Sequence, residues 1–431
     1  MGRENKMKIR YIMLFNLVLL LSALSLLVTS AYSQTYQSFN SELVDIDEMA
    51  KWKIGPFRIH PTLEFRNFGY TSNIYGVRDE DGPVPDFIAF ISPEVKVYLP
   101  YRNWLILSFS ENPEYIFFAK ERNQRALNNG YSPGFRMLLL RRFVLSGNYL
   151  NRRTTRRPSS ETEVPVTYIA KRLDSSIVFE LTRRISFGFL WSDERLSYED
   201  ETLPGWDVDL SVSLNRRIQS ASFEFFYNVF TRGQIFIRGG YSEYSFENIE
   251  SRWRDSYSYE ARVGIGFPII KHSGGTLSYG FRKVLPREKG KMSYSGPIGS
   301  AGLYFRLGRF NFSVQYSRDF QFSFSAINVY FIENIYGAGI SYYLSQSLRL
   351  NYSFAYGRNN YPEPILIQPQ DDQYKEIFRT DTYRTHSVGF LIRVVNNIGM
   401  GLSLSKLERR SNYGGLNMNS FFVGGNFSYK F

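Results

Sequence analysis

The chain has 431 residues, of which 43% are hydrophobic, 17% aromatic and 21% charged, and its mean hydropathy of −0.29 is too low for a bundle of membrane helices. The 37 Phe and 32 Tyr against 5 Trp, with 33 Gly and 17 Pro, favour strands over helices, and the absence of cysteine excludes disulfide frameworks, thiolate metal sites and cysteine nucleophiles. A net charge of +12 would suit nucleic acid or an anionic surface, but the export signal at the start of the chain argues against nucleic acid.

Lys8 and Arg10 precede an apolar run from Tyr11 to Val28, and Ala31 and Ser33 then supply small residues at the two positions a signal peptidase requires. Residues 1–33 are expected to be a secretory signal peptide cleaved after Ser33. An uncleaved anchor helix is the alternative, since the run is just long enough to span a bilayer. Cleavage removes Arg3, Lys6, Lys8 and Arg10 against Glu4, a net of three positive charges, and leaves +9 of the +12. Residues 34–57 read as a periplasmic leader. Within it Leu43, Ile46, Met49 and Ala50 have helical spacing between Ser41 and Lys53, which fits either a short amphipathic helix seated in the barrel mouth or docked on a partner, or a flexible leader.

From residue 58 to residue 431 apolar and polar residues alternate in stretches of about ten, separated by alternately short and long polar connections. Ile185, Phe187, Phe189 and Trp191 share one face while Ser186, Gly188, Leu190 and Ser192 share the other. The same holds for Phe310, Phe312, Val314 and Tyr316 against Asn311, Ser313, Gln315 and Ser317, and again from Leu348 to Tyr356. A soluble sandwich rarely repeats strands over such a length without a domain break. The spacing therefore predicts an all-β fold, a single transmembrane antiparallel up-and-down β-barrel with lipid outside and water inside. Short turns are predicted at Pro100 to Asn103, Arg141-Arg142, Thr182 to Arg184, Thr231 to Gly233, Pro268 to Gly274, Leu307 to Arg309, Leu344 to Ser347 and Val395 to Asn397. Those eight turns divide the body into nine hairpins and about 18 strands with both termini periplasmic; 16 strands follow if Asn215-Arg216-Arg217 is not a strand boundary. At the chain end Gly424, Phe427, Tyr429 and Phe431 resemble the signal that outer-membrane barrels present to their assembly machinery.

The first hairpin carries Pro61-Thr62-Leu63-Glu64-Phe65, then Tyr70-Thr71-Ser72-Asn73-Ile74-Tyr75 and, after a loop, Ser92-Pro93-Glu94-Val95-Lys96-Val97. This resembles the β-barrel porin 2 family of outer-membrane proteins, which is often associated with exopolysaccharide production. The resemblance implies an outer-membrane barrel and a link to exopolysaccharide export. In that family an aspartate commonly precedes the Ser-Asn pair. Thr71 stands there in this chain, which weakens a cation-binding role and leaves Ser72 and Asn73 to make local turn hydrogen bonds at a strand end.

A barrel of 16 to 18 strands leaves an aqueous channel. Alternation places Arg66, Lys96, Arg238, Arg262, Arg282, Arg306, Arg349 and Arg393 inside, against Glu64, Glu94, Asp174, Glu180, Glu224 and Glu260. Arg238, Arg306, Arg349 and Arg393 lie close to short turns, where they form a positive ring favouring anionic solutes or acidic polysaccharide, unless the inward charges simply neutralise one another. The connection from Gly357 to Thr380 is the longest, and its Ile365-Leu366-Ile367 is expected to pack on something, by folding inward, forming a lid or meeting a partner. No nucleophile elbow, H-E-x-x-H zinc pair or His-Cys cluster is expected, and His386 and Ser387 are adjacent on a strand and so point to opposite faces. The reading is a non-enzyme without cofactor, contacting outer-membrane lipid and the assembly machinery, that acts as a passive route for polysaccharide or small anionic solutes. A non-conducting scaffold for a surface or secretion assembly is the second reading.

Overall fold

The computed structural model describes residues 39–431 except 157–158, 162–164, 200–208, 230–232, 271–272, 291–292, 326, 368–374, 396 and 414–415. The signal peptide expected at residues 1–33 lies outside the described residues. Helix α1 (Phe39–Met49) leads into β1 (Trp52–Ile54), β2 (Phe57–Thr71), β3 (Asp86–Tyr101), β4 (Leu105–Glu111), β5 (Glu114–Phe118), β6 (Ala126–Leu139), β7 (Phe143–Arg156), β8 (Val166–Glu180) and β9 (Ile185–Tyr198). The short helix α2 (Leu210–Leu214) precedes β10 (Arg216–Asn228), β11 (Gln234–Phe246), β12 (Ser256–Ile270), β13 (Ser273–Pro286), β14 (Tyr294–Leu307) and β15 (Phe310–Phe322). The remaining strands are β16 (Tyr330–Tyr343), β17 (Leu348–Ile367), β18 (Lys375–Val395), β19 (Ile398–Ser411) and β20 (Met418–Lys430).

Neighbours in sequence pair antiparallel throughout, and β20 returns to β2 from Thr62 opposite Lys430 to Thr71 opposite Phe422, so the sheet is closed. The 20 segments make 18 barrel strands. β4 and β5 are two halves of one strand, both paired to β3 and to β6 and interrupted at Asn112-Pro113, where proline has no N–H to give to the ladder. β1 is a three-residue extension that pairs only with the start of β2. The alternative of 16 strands fails because Arg216 opens β10 and lies opposite both Leu196 and Phe246. Each of the eight predicted turns falls where the bounds of consecutive strands meet on the end of the barrel that also carries Phe57 and Lys430, called here the short-turn end, although residues 231–232, 271–272 and 396 of three of these turns lie outside the described residues. The turn between β6 and β7 places Leu140 and Arg141 at φ of 49° and 58°, in the left-handed region.

Alternation separates the two faces of the wall. Phe189, Ile237, Leu277, Leu303, Leu350 and Leu402 are exposed on the outside, and aromatic pairs such as Phe143 with Phe179 and Phe310 with Tyr342, each 4.6 Å between centroids, edge that surface at the short-turn end. Inside, hydroxyls pair across strands: Ser146 with Ser176 at 2.6 Å, Ser220 with Ser242 at 2.9 Å and Ser278 with Ser300 at 2.9 Å. Small polar residues leave room within, and apolar ones lie where no other protein element covers them. At the closing seam Gly69 backs onto Gly424, where a Cβ on Gly69 would stand 2.1 Å from the Val423 carbonyl oxygen, so neither strand could approach with a side chain there.

Candidate functional site

The inward face of the barrel is the candidate site, and its charges fall into three groups. In mid-wall, on β10 to β15, Arg238 bonds Glu224, whose side chain is 3% exposed. One register step on, Arg282 bonds both Glu260 and, at 2.6 Å, Asp319, while Arg262 approaches Glu260 at 3.7 Å and Asp319 at 3.9 Å. Antiparallel register produces this cluster, because Glu224 lies opposite Arg238, Arg238 opposite Arg262 and Glu260 opposite Arg282. Arg238 therefore belongs to a neutralised mid-wall network rather than to a ring at the short-turn mouth. Arg66 likewise bonds Glu114 and Lys96 lies 3.2 Å from Glu94.

The second group is at the short-turn end. Arg306 and Arg349 both approach the Tyr343 ring, at 5.8 Å from its centroid, and Arg349 donates to the Tyr343 hydroxyl at 3.5 Å. Arg349 and Arg393 line a recess of about 580 Å³ together with Arg66, Lys430, Asn426 and Glu64. Among the described residues Arg306, Arg349 and Arg393 have no carboxylate within salt-bridge distance. Helix α1 docks on the inner wall at the same end: Phe39 and Ile46 pack on Ile106, flanked by Tyr98 and Leu138, and Glu42 lies 2.6 Å from Arg136. Asp47 meets Lys53 at 2.7 Å and Arg58 at 2.6 Å, and these cations hold its carboxyl below the usual carboxylate range. A helix was one of two readings of the leader, and the apolar spacing of Leu43 and Ile46 is what the wall receives.

The third group closes over the opposite, long-loop end. The connection from Gly357 to Thr380 was expected to fold inward, form a lid or meet a partner, and its tip at 368–374 lies outside the described residues. β17 and β18 continue as a long hairpin through a register shift between Asn360 and Pro364, because the ladder can be extended there. Ile365 is buried, while the side chains of Leu366 and Ile367 lie outside the described residues. It is the top of the β15–β16 hairpin that crosses the lumen. β14 and β15 part above Gly299 opposite Arg318. Phe322 then reaches Tyr244 and Phe246 on β11 at 4.9 and 5.4 Å, and Phe324 joins Val166, Tyr198, Leu210 and Leu214 in a small core.

A fully buried polar latch holds this lid. Glu161, on the β7–β8 connection, accepts from the Ser323 hydroxyl at 2.7 Å and the Phe324 amide at 3.0 Å and faces Arg379 at 3.6 Å. Asp381 accepts from Arg379 at 2.7 Å, Arg409 at 2.8 Å and the Tyr361 hydroxyl at 3.2 Å. Arg254, between β11 and β12, donates to the Ser323 and Ser325 carbonyls at 2.7 and 2.9 Å; burial lowers it to about 10, so it stays charged at neutral pH. The sequence reading missed Glu161, Arg254, Arg379, Asp381 and Arg409. Arg379 fell in the segment read as the long connection, and nothing local joins residue 161 to residue 379.

Asn73 exchanges hydrogen bonds with the Val77 backbone at 2.8 and 3.1 Å, and Ser72 accepts from the Phe421 amide at 2.9 Å, a locally satisfied strand end. The pentapeptide Gly130-Tyr131-Ser132-Pro133-Gly134 carries the letters of a G-x-S-x-G elbow. Ser132 sits in mid-strand on β6 and donates to Asn148 at 2.7 Å, without the strand-to-helix turn that exposes a nucleophile. His386 faces outward beside Tyr352 at 3.0 Å, and His272 lies outside the described residues. Among the described residues no group of three or more His, Asp or Glu is arranged to hold a metal ion.

No family model and no curated protein matches the chain. Solved structures similar to it include OccK3 (OpdO) of Pseudomonas aeruginosa, at a TM-score of 0.49 and 10% identity over 86% of this chain and 95% of that one. OccAB3 of Acinetobacter baumannii follows at 0.48 and 12% over 88% and 100%, and the siderophore receptor PirA of Acinetobacter baumannii at 0.45 and 6% over 86% and 80%.

Proposed function

We propose that the chain is an outer-membrane channel, with its short-turn end in the periplasm, which passes small anionic solutes or acidic saccharide units by passive diffusion. The observation that carries this reading is the contrast between an exposed apolar outside and a polar inside that ends in the unneutralised Arg306, Arg349 and Arg393. An apolar band with no protein cover is stable in lipid, and a polar, hydroxyl-lined interior is stable in water. Uncompensated guanidinium groups at a mouth raise the local concentration of anions. The tie to exopolysaccharide export rests on the resemblance of the first hairpin. Phe427, Tyr429 and Phe431 at the chain end act as the assembly signal in this reading.

Conductance of the folded barrel in a planar bilayer tests it. Steady channels with chloride permeating better than potassium are expected, with current block by acidic but not neutral oligosaccharide. A heat-modifiable, correctly folded barrel without conductance would end the channel reading. The second reading, a non-conducting scaffold, is favoured by two elements that occupy the lumen, α1 at one end and the latched β15–β16 hairpin at the other.

A further inference from the structure

We propose that the outer surface of β16 to β19 at the long-loop end is a binding patch for the phosphate-bearing headgroup of an outer-leaflet glycolipid. Cross-strand register arranges this surface in rows. Tyr316, Tyr336 and Tyr356 stand side by side on β15, β16 and β17, with ring centroids 4.9 and 6.0 Å apart, and the row continues to Arg384 and Glu408. The next row outward runs Asn334, Arg358, Thr382 and Arg410. Below the tyrosines come Phe354, His386 and Lys406, and below those Tyr352, Val388 and Leu404. The surface thus passes from aliphatic to aromatic to basic along the strand direction.

Height fits the headgroup zone. Arg358, Arg384 and Arg410 each lie ten residues along their strands from an outward apolar residue near the short turns, Leu348, Val394 and Met400 respectively. At about 3.3 Å per residue and a tilt of about 40° that is a rise of roughly 25 Å, the height of an outer-membrane apolar band. Tyrosines at that level mark the interface, and the three arginines project just beyond it, where a phosphate would lie.

The charge is also unspent. On the opposite side of the barrel the outward rim arginines have acidic partners: Arg153 with Glu199 at 2.9 Å, Arg195 with Glu247 and Arg217 with Asp193, each at 2.5 Å, and Arg287 with Glu243. Arg358, Arg384 and Arg410 are exposed and have no ion pair among the described residues; Arg384 lies 5.8 Å over the Tyr356 ring. The carboxylate in these rows, Glu408, is held by Lys406 at 2.5 Å. Guanidinium groups in a row suit bidentate capture of phosphate oxygens.

This proposal rests on the reading that the long-loop end faces outward, so the test separates the two. The full barrel, folded in detergent and checked by heat modifiability, is incubated with bisphosphorylated lipid A, dephosphorylated lipid A or phosphatidylglycerol, and retained lipid is counted by native mass spectrometry. Bisphosphorylated lipid A is expected to be retained, and the triple variant Arg358→Gln, Arg384→Gln, Arg410→Gln to retain several-fold less, while Arg195→Gln with Arg217→Gln on the opposite rim changes nothing. Equal retention of the dephosphorylated lipid, equal retention by the triple variant, or preference for phosphatidylglycerol would each overturn the proposal. Orientation is read separately by labelling Lys289→Cys, at the long-loop end of a chain without native cysteine, with an impermeant maleimide on intact cells. Labelling is expected. Its absence, with phosphate-dependent retention intact, would overturn the outward orientation and with it the glycolipid as occupant in the cell.

Discussion

The inward arginines of mid-wall and those of the short-turn mouth project from neighbouring strands into one lumen, yet their electrostatic states differ. Arg238, Arg262 and Arg282 share Glu224, Glu260 and Asp319 within a few ångströms, whereas Arg306 and Arg349 lie over the Tyr343 ring and Arg349 and Arg393 line an open recess. The mid-wall groups are partly buried, so leaving them without partners would cost stability. Those at the mouth are hydrated, so leaving them single costs little and retains a field. Neutralisation follows the depth of burial along the lumen, and the lid, where Glu161, Arg379, Asp381 and Arg409 are all but inaccessible, is its extreme.

The sharpest break of that gradient is at the lid. Glu161→Ala leaves the Ser323 hydroxyl and the Phe324 amide without their acceptor in a dry site and removes one of the two carboxylates beside Arg379, and is expected to destabilise the folded barrel by about 3–5 kcal/mol. It should also free the β15–β16 hairpin. Denaturant unfolding in micelles and single-channel current check both; an unchanged midpoint with unchanged conductance would mean the latch holds nothing.

Next in size is Glu224→Ala. Its carboxylate is buried while Arg238 is 38% exposed and can turn to water, so a cost of roughly 1–3 kcal/mol is expected. Mid-wall then acquires a single unneutralised cation, and chloride preference should rise in reversal-potential measurements.

A smaller stability effect with a clear electrical readout comes from the mouth. Arg349→Glu with Arg393→Glu should shift stability by no more than about 0.5 kcal/mol per site, as for hydrated surface positions, while converting anion preference to cation preference. Selectivity that stays anionic would place the controlling field elsewhere.

The smallest effect expected is at α1. The carboxyl of Asp47 is lowered by Lys53 and Arg58, so its folded value lies below its unfolded one. Its contribution to docking is therefore full above the unfolded carboxylate range, near pH 4, and is lost as pH falls through the folded value. Trp52 fluorescence followed from pH 6 to pH 2 should report release of the helix, and Asp47→Asn should flatten the curve.

Much of the architecture was legible before any coordinates. Period-two alternation from Ile185 to Trp191 or Phe310 to Tyr316 states which face is greasy, and turn residues such as Gly308, at φ 57°, state where a hairpin reverses. Closure followed from an even strand count over one uninterrupted body. The site was legible only in part. Alternation placed Arg262, Arg282 and Glu260 on one face but could not say which would touch, and it put Arg238 in the wrong group because closeness to a turn is not exposure to the mouth.

Alternation and turn chemistry act between residues a few positions apart, so the sequence by itself determined strand, face and closure and a count of about 18, with the alternative of 16 excluded only by the register at Arg216. The inward turn of the β15–β16 hairpin, the latch joining Glu161 to Arg379 across the lumen, and the row of Arg358, Thr382 and Arg410 on the outer rim were decided by tertiary structure. Each depends on cross-strand register or on approach through the barrel between residues far apart in the chain, and no local pattern encodes those distances.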